Sequence, residues 1–434
     1  MRRIWVAAAA SILTAAFVLF RLTRHAHAPP PSDATPTIAH ATLVIRDDAP
    51  RQPESTAVPG LDLARIQSDA DGFFAPVDGG TARLTLDPDL QRLAVSLLAA
   101  HHLPEAAVVL MDVATGHLLV YASHIERGDA RDLCAEAKAP SASVFKIVTA
   151  AALLEDAHLE PDTRQCYSGG EQRISSVDLV GDPHRDRWCT TLAGAMGRSI
   201  NTVFARLAND YLTPPQLEAM ARRFGYGESP AFDVPVQPSG LRVPVEPLEF
   251  ARTAAGFWNT TLSPIEAAEL SAIVARGGER IRPTIVDKVV SGSGALVWSP
   301  PDTSTGRRAV TRDTADRLSI MMEHTLSEGT CWKAFHDARG GAFLPSVSVA
   351  GKTGTLTDAE TRRFYTWFTG FAPVRGEGNV PKVAVAVLVV NGPTWQLKAN
   401  VVAREVLRAY FAAHDVPGVT RPGLVATARR RRTH

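Results

Sequence analysis

Cysteine is scarce in this chain. Four in 434 residues cannot form the framework of a disulfide-stapled miniprotein. An excess of charge of one sign is also missing: 46 lysines and arginines face 45 aspartates and glutamates, for a net charge of +1. That balance leaves no electrostatic footprint for nucleic acid or for an acidic partner. No internal repeat is visible. His25, His27 and His40 fall in one stretch, but no Cys, Asp or Glu cluster completes a ligand set, so no metal site is expected there. What is present is 45% hydrophobic and 21% charged, the composition of a globular core. The length suits two or three domains or one large one.

The N-terminal part sets an expectation about compartment. Residues 4–20 carry no charge, with Arg2 and Arg3 before them and Arg21 and Arg24 after. As a helix this run reaches about 25 Å, the short end of what spans a bilayer. The competing reading is a cleaved export signal with Ala26-His27-Ala28 as its small-residue site. Pro29 after that site and the arginines directly after the run favour an uncleaved anchor over residues 1–24. Either reading puts the rest of the chain outside the cytoplasmic membrane. Residues 25–80 then read as a proline-rich linker, with Pro29-Pro30-Pro31, Pro36, Pro50, Pro53 and Pro59 among small polar residues. It is expected to be a stalk. A globular body is expected over 81–415, followed by a basic tail, 416–434, containing Arg429 to Arg432.

Within the body, residues 88–100 read as a helix. Residues 107–112 and 117–121 read as a β-hairpin around Val113 to Gly116. Residues 143–155 are apolar nearly all round and belong at the centre of a domain as one helix. Helical sequence dominates 191–276, strand signals return at 346–350, 364–372 and 383–390, and 398–412 closes as an amphipathic helix. Strands at both ends with helices between them predict an α/β fold. One antiparallel sheet built from distant segments is flanked by helices, with a mostly helical subdomain over 150–275 forming the far wall of a cleft.

Three short motifs carry chemistry. Ser143-Val144-Phe145-Lys146 sets a hydroxyl and an amine on one helix face. A lysine has an ordinary pKa of about 10.4 and is no base in water, but a desolvated one can take the serine's proton. Ser141 has Val144 three residues on and is no rival nucleophile. Ser199-Ile200-Asn201 offers a hydroxyl that can relay a proton and an amide that can bind a substrate amide. Lys352-Thr353-Gly354-Thr355, expected just after a strand, offers a cation and hydroxyls for a carboxylate, with Gly354 leaving room for a substrate. Each motif alone has a bland explanation in helix capping or turn formation.

In this order the three resemble the serine penicillin-binding transpeptidases and the related serine β-lactamases. The resemblance extends to Leu84 through Gln91, Ser143 through Glu155, Leu262 through Ala268 with Gly277-Gly278 and Arg282-Pro283, and Trp367 through Pro373. It implies that Ser143 is the acylated nucleophile, Lys146 its base, and Ser199 a proton carrier. Asn201, Lys352, Thr353, Gly354 and Thr355 would bind substrate, and the backbone N–H groups of Ser143 and Thr355 would form the oxyanion hole. The implied partners are peptidoglycan stem peptides ending in D-Ala-D-Ala, β-lactams as covalent inhibitors, and the membrane through residues 4–20. No cofactor is implied. The implied reaction is D,D-transpeptidation. A D,D-carboxypeptidase, a β-lactamase and a β-lactam sensor or scaffold without turnover are the alternatives. Ser-x-Asn favours the penicillin-binding branch over oxacillinases, which have valine in the third place. Residues 25–80 leave no room for the glycosyltransferase domain of bifunctional relatives. The family often has Pro-Gly directly before the nucleophile, where this chain has Ser141-Ala142. Its Gly-Thr-Gly loop corresponds to Gly329-Thr330-Cys331 here, which would put Cys331 near the cleft. Outside the cytoplasm four cysteines favour disulfides, with three pairings possible. The pair nearest in sequence, Cys166–Cys189, is favoured, with Cys134–Cys331 as the second.

Overall fold

The computed structural model describes residues 57–169, 173–358, 360–376 and 379–423. The apolar run 4–20, the proline-rich residues before 57 and Arg429 to Arg432 lie outside them. The described residues belong to one compact unit within 53–434.

A five-stranded antiparallel sheet organises the body. Its strands are β1 (Glu105–Asp112), β2 (Leu118–Ile125), β3 (Ala350–Asp358), β4 (Arg363–Ala372) and β5 (Val383–Asn391), in the spatial order β3-β4-β5-β1-β2. The pairing of β5 with β1 joins distant parts of the chain, with Val385 opposite Leu110. Strand β5 is buried along its whole length, which suits its run of valines to the middle of a sheet covered on both faces. Alternation on β1 divides the interior. Ala107, Val109 and Met111 face one apolar core, while Ala106, Val108 and Leu110 face the other.

Ten helices surround this sheet among the described residues: α1 (Pro88–Ala99), α2 (Lys146–Glu155), α3 (Leu192–Arg198), α4 (Asn201–Tyr211), α5 (Pro214–Arg223), α6 (Pro247–Ala254), α7 (Pro264–Ala275), α8 (Arg312–Ser327), α9 (Trp332–Phe335) and α10 (Ala399–Ala413). The first begins where the sequence punctuates it. Asp87 accepts hydrogen bonds from the N–H groups of Asp89 and Leu90, and Pro88 occupies the first turn. Helices α2 and α7 are apolar nearly all round and fill the first core, whereas α1 and α10 cover the second. The α/β architecture with a largely helical insertion is the one the sequence predicts.

Four local expectations are corrected. The stalk does not extend to Gly80. Residues 67–69, 72–77 and 80–84 are strands of a second five-stranded sheet with Val286–Ser291 and Leu296–Trp298. Val58 and Leu63 are buried in the first core, and Asp78-Gly79 closes a two-residue hairpin turn, Val77 pairing with Gly80. The strand expected at 346–350 instead begins at Ala350 and contains the third motif. The helix expected over 143–155 opens with a 3-10 turn, Ala142–Phe145, before α2 begins. The helical stretch 191–276 is interrupted by an irregular run between α5 and α6, where Gly225, Gly227, Pro230, Pro235 and Pro238 punctuate the chain.

The cysteines divide. Cys166 and Cys189 are cross-strand partners joined by a disulfide, as expected. Cys134 and Cys331 are free and buried, so the second expected pairing does not exist. They belong to different apolar cores, on opposite faces of the sheet.

Candidate active site

Ser143 sits in the 3-10 turn that enters α2, after Ala142, which holds a left-handed φ of 49°. Such a conformation is costly for a residue with a Cβ and persists where surrounding packing imposes it. Two glycines supply that packing. A Cβ on Gly354 would lie 3.2 Å from Ala142 Cβ and 3.3 Å from Ser141 O, so this glycine lets β3 lie against the nucleophile turn. A Cβ on Gly256, where φ is +82°, would lie 2.4 Å from Ala142 O. The loop after α6 therefore passes directly against the backbone of the same turn.

Lys146 is fully buried. Its Nζ lies 2.8 Å from Ser143 Oγ and 2.7 Å from Asn201 Oδ1, and it donates also to Ala255 O. Burial, and then the nearby Lys352 cation, hold its pKa well below the ordinary lysine value. Asn201 opens α4. Just before it the helical stretch breaks, because Ser199 takes a left-handed φ of 59° as the cap of α3. This break turns Ser199 Oγ toward Lys352 Nζ, which donates to it at 2.9 Å and to Thr353 O at 2.9 Å. Lys352 too is fully buried, and burial lowers its pKa to about 7. The second and third motifs are thus tied by one hydrogen bond, and the first and second by another.

One cavity of about 340 Å³ gathers Ser143, Ser199, Asn201, Thr353, Gly354 and Thr355 along its walls. Lys146 and Lys352 reach Ser143 and Ser199 from within the protein. All eight residues singled out in the sequence therefore meet at one place. Other residues lining the same cavity include Thr330, whose loop the resemblance places near the cleft, and Lys398 and Asn400, which sequence reasoning missed. Thr330 Oγ1 lies 2.6 Å from Thr353 Oγ1. Its loop packs so closely on α3 that a Cβ on Gly329 would lie 2.1 Å from Gly197 O. Lys398 and Asn400 stand at the start of α10, far along the chain from every motif. The amphipathic pattern there pointed to packing rather than to chemistry. Cys331, next to Thr330, is buried beside the Asn400 amide, and burial pushes its thiol up to about 12, which leaves it no nucleophile. Among the described residues no group of three or more His, Cys, Asp or Glu is placed to hold a metal ion. Among the same residues no helix is long and apolar enough to cross a membrane. The apolar run 4–20 lies outside them.

A sheet flanked by helices thus carries a serine and two buried lysines that converge at the edge of β3. The chain belongs to the family described as penicillin binding protein transpeptidase domain, which matches residues 106–411. It is 31% identical over 264 residues to the peptidoglycan D,D-transpeptidase PbpA of Mycobacterium tuberculosis, a match covering 58% of this chain and 50% of that protein. Stage V sporulation protein D of Bacillus subtilis is 24% identical over 344 residues, covering 74% of this chain and 52% of the relative. The chain thus spans about half the length of these curated relatives. Two solved structures share the fold. The D,D-transpeptidase domain of a peptidoglycan glycosyltransferase from Eggerthella lenta gives a TM-score of 0.63 at 24% identity, covering 82% of this chain and 96% of that one. The imipenem acyl-enzyme of M. tuberculosis penicillin-binding protein A gives 0.60 at 24% identity, covering 76% and 79%.

Proposed function

We propose that this chain is a serine D,D-transpeptidase that cross-links peptidoglycan stem peptides through an acyl-enzyme on Ser143. We place it at the cytoplasmic membrane through residues 4–20, with its catalytic body on the outer side. The observation that carries the reading is the surrounding of Lys146 Nζ. Three acceptors face it: Ser143 Oγ, Asn201 Oδ1 and Ala255 O. A neutral amine has two N–H donors and one lone pair. Its donors satisfy Asn201 and Ala255, and its lone pair then points at the Ser143 hydroxyl, ready to take the proton. Burial favours that neutral form.

The remaining residues take complementary roles. The carboxylate of the donor peptide, or of a penicillin, meets the Thr353 and Thr355 hydroxyls and the Lys352 cation behind them. Ser143 Oγ attacks the penultimate carbonyl, whose developing negative charge is met by the N–H groups of Ser143 and Thr355. The proton taken by Lys146 reaches the departing amine by way of Ser199, which Lys352 holds. An amine of a second strand then attacks the ester and restores the free serine. The imipenem acyl-enzyme of the related M. tuberculosis protein supports a β-lactam-reactive serine here.

The test is to treat the full-length chain in detergent with a fluorescent penicillin and follow the covalent label over time, alongside Ser143→Ala. A label that requires Ser143 and persists for many minutes is the expected result. Label that appears and decays with release of hydrolysed drug would instead make the protein a β-lactamase. Folded protein that takes no label would overturn the acyl-enzyme reading.

A further inference from the structure

Ala142 keeps its left-handed φ of 49° without the conformational freedom of a glycine. Close packing by Gly256 and Gly354 is one reason, and hydrogen bonds to the residues before it are another. Pro140 O accepts from Trp367 Nε1 at 2.9 Å. Ser141 N donates to Thr260 O at 3.1 Å, and Ser141 O accepts from Val144 N at 3.2 Å. A further bond ties the turn to a remote loop through side chains alone. Tyr226 Oη donates to Ser141 Oγ at 3.1 Å, across 85 residues of sequence. Both residues are fully buried.

Tyr226 makes a second contact with the same turn. Its ring meets that of Phe145 edge-on, with centroids 5.3 Å apart and planes at 89°. Ser141 stands two residues before the nucleophile and Phe145 two residues after it, so one tyrosine holds the turn on both sides of Ser143. The tyrosine itself is seated firmly in the irregular run after α5. Its N–H donates to Ala221 O at 3.1 Å. Gly225 before it has a φ of +110°, and a Cβ there would lie 2.9 Å from Arg280 Nη2 and 3.3 Å from Glu266 Oε1. Burial raises the pKa of the Tyr226 phenol, which therefore remains a donor. Among the described residues that line the catalytic cavity Tyr226 does not appear, so it acts on the turn and not on a bound ligand.

We propose that Tyr226 is a positioning residue for the nucleophile: by holding Ser141 and Phe145 it keeps Ala142 left-handed and fixes the direction of Ser143 Oγ and of the Ser143 N–H. The inference rests on the Ser143 acyl-enzyme reading and adds to it a residue that none of the three motifs contains. The physical reason lies in the side chain at 142. An alanine in the left-handed region is strained and gains by relaxing to negative φ. Such a relaxation turns the chain directly before Ser143, and attack geometry tolerates displacements of only about 1 Å. A glycine takes positive φ as readily as negative and has no such drive. The Tyr226 hydroxyl should therefore matter to acylation because residue 142 is an alanine.

The experiment uses the full-length chain in detergent and stopped-flow mixing with a fluorescent penicillin over a range of concentrations. This separates the non-covalent dissociation constant from the acylation rate constant, and the final label per chain gives the folded fraction. Tyr226→Phe is expected to lower the acylation rate constant about tenfold. The dissociation constant and the final label should stay unchanged, because the Thr353 and Thr355 wall is untouched. In a chain that already carries Ala142→Gly, the same substitution should cost less than about threefold. Tyr410→Phe removes an equally buried hydroxyl, bonded to Pro381 O in the second core, and should leave the rate constant as it was. Ser141→Ala breaks the same bond from its other end and decides the question if Tyr226→Phe does not fold. An unchanged rate constant in the bond-breaking variant, equal losses with and without Ala142→Gly, or an equal loss in Tyr410→Phe would overturn the inference and leave the acyl-enzyme reading standing. Failure of the unaltered chain to take any label would overturn both.

Discussion

Lys352 shows how burial and function meet in one side chain. A lysine would ordinarily titrate at 10.5, and burial brings this one down to about 7. Its charged form is therefore present below about pH 7 and lost above it, while the neutral Lys146 needed as a base accumulates as pH rises. The two trends oppose each other. The second-order acylation constant for a carboxylate-bearing penicillin is expected to rise with pH on the Lys146 limb and fall as pH passes through about 7 on the Lys352 limb. In Lys352→Arg the guanidinium stays charged, so the falling limb should move to higher pH. Stopped-flow labelling across pH 5–10 checks this, and a falling limb that stays in place in the arginine variant would remove Lys352 as its source.

At the scale of elements, the nucleophile turn is held by its neighbours rather than by its own sequence. The residues 142–145 form a 3-10 turn, Ala142 takes a left-handed conformation, and Gly256 and Gly354 close on it from the α6 loop and from β3. The α6 loop does two things at once, since Ala255 O accepts a bond from Lys146 and Gly256 allows the loop to approach. Gly256→Ala is expected to cost about 2–4 kcal/mol of stability, because a β-carbon there meets backbone and the residue keeps a positive φ. Acylation should fall by about a hundredfold as Ser143 and Lys146 separate. Thermal unfolding and penicillin labelling measured together check it. Loss of labelling at unchanged stability would mean the loop acts by some other route than packing.

At the scale of the whole molecule, residues 57–84 belong to the body. Val58, Leu63, Ala82 and Leu84 are buried, and strand 80–84 pairs with Val286–Ser291. Removing 57–84 would strip several side chains, each contributing about 1.5–3 kcal/mol by burial, and leave an unpaired strand edge open to aggregation. A chain beginning at Thr85 is expected to be insoluble or to melt well below one beginning at Ala57. Equal melting temperatures would show that this sheet contributes little. The two free cysteines make the same point about scale. Cys134 and Cys331 look like a pair on paper, but the central sheet separates the cores in which they lie.

The sequence alone determined the three motifs, the α/β class and the order of the principal helices and strands. These are local signals of spacing, periodicity and turn chemistry, together with the resemblance those motifs carry. Local spacing also placed Ser143 near Lys146, since residues three apart share a helical face. Tertiary structure decided the rest. It broke the helix at Ser199, drew strands into residues 67–84, and buried Lys146 and Lys352 deeply enough to change their protonation. It also brought Lys398 and Asn400 to the cleft. None of these follows from a neighbour in the chain. Burial and a strained backbone conformation depend on what packs against a residue from remote segments, and only the closed sheet brings those segments together.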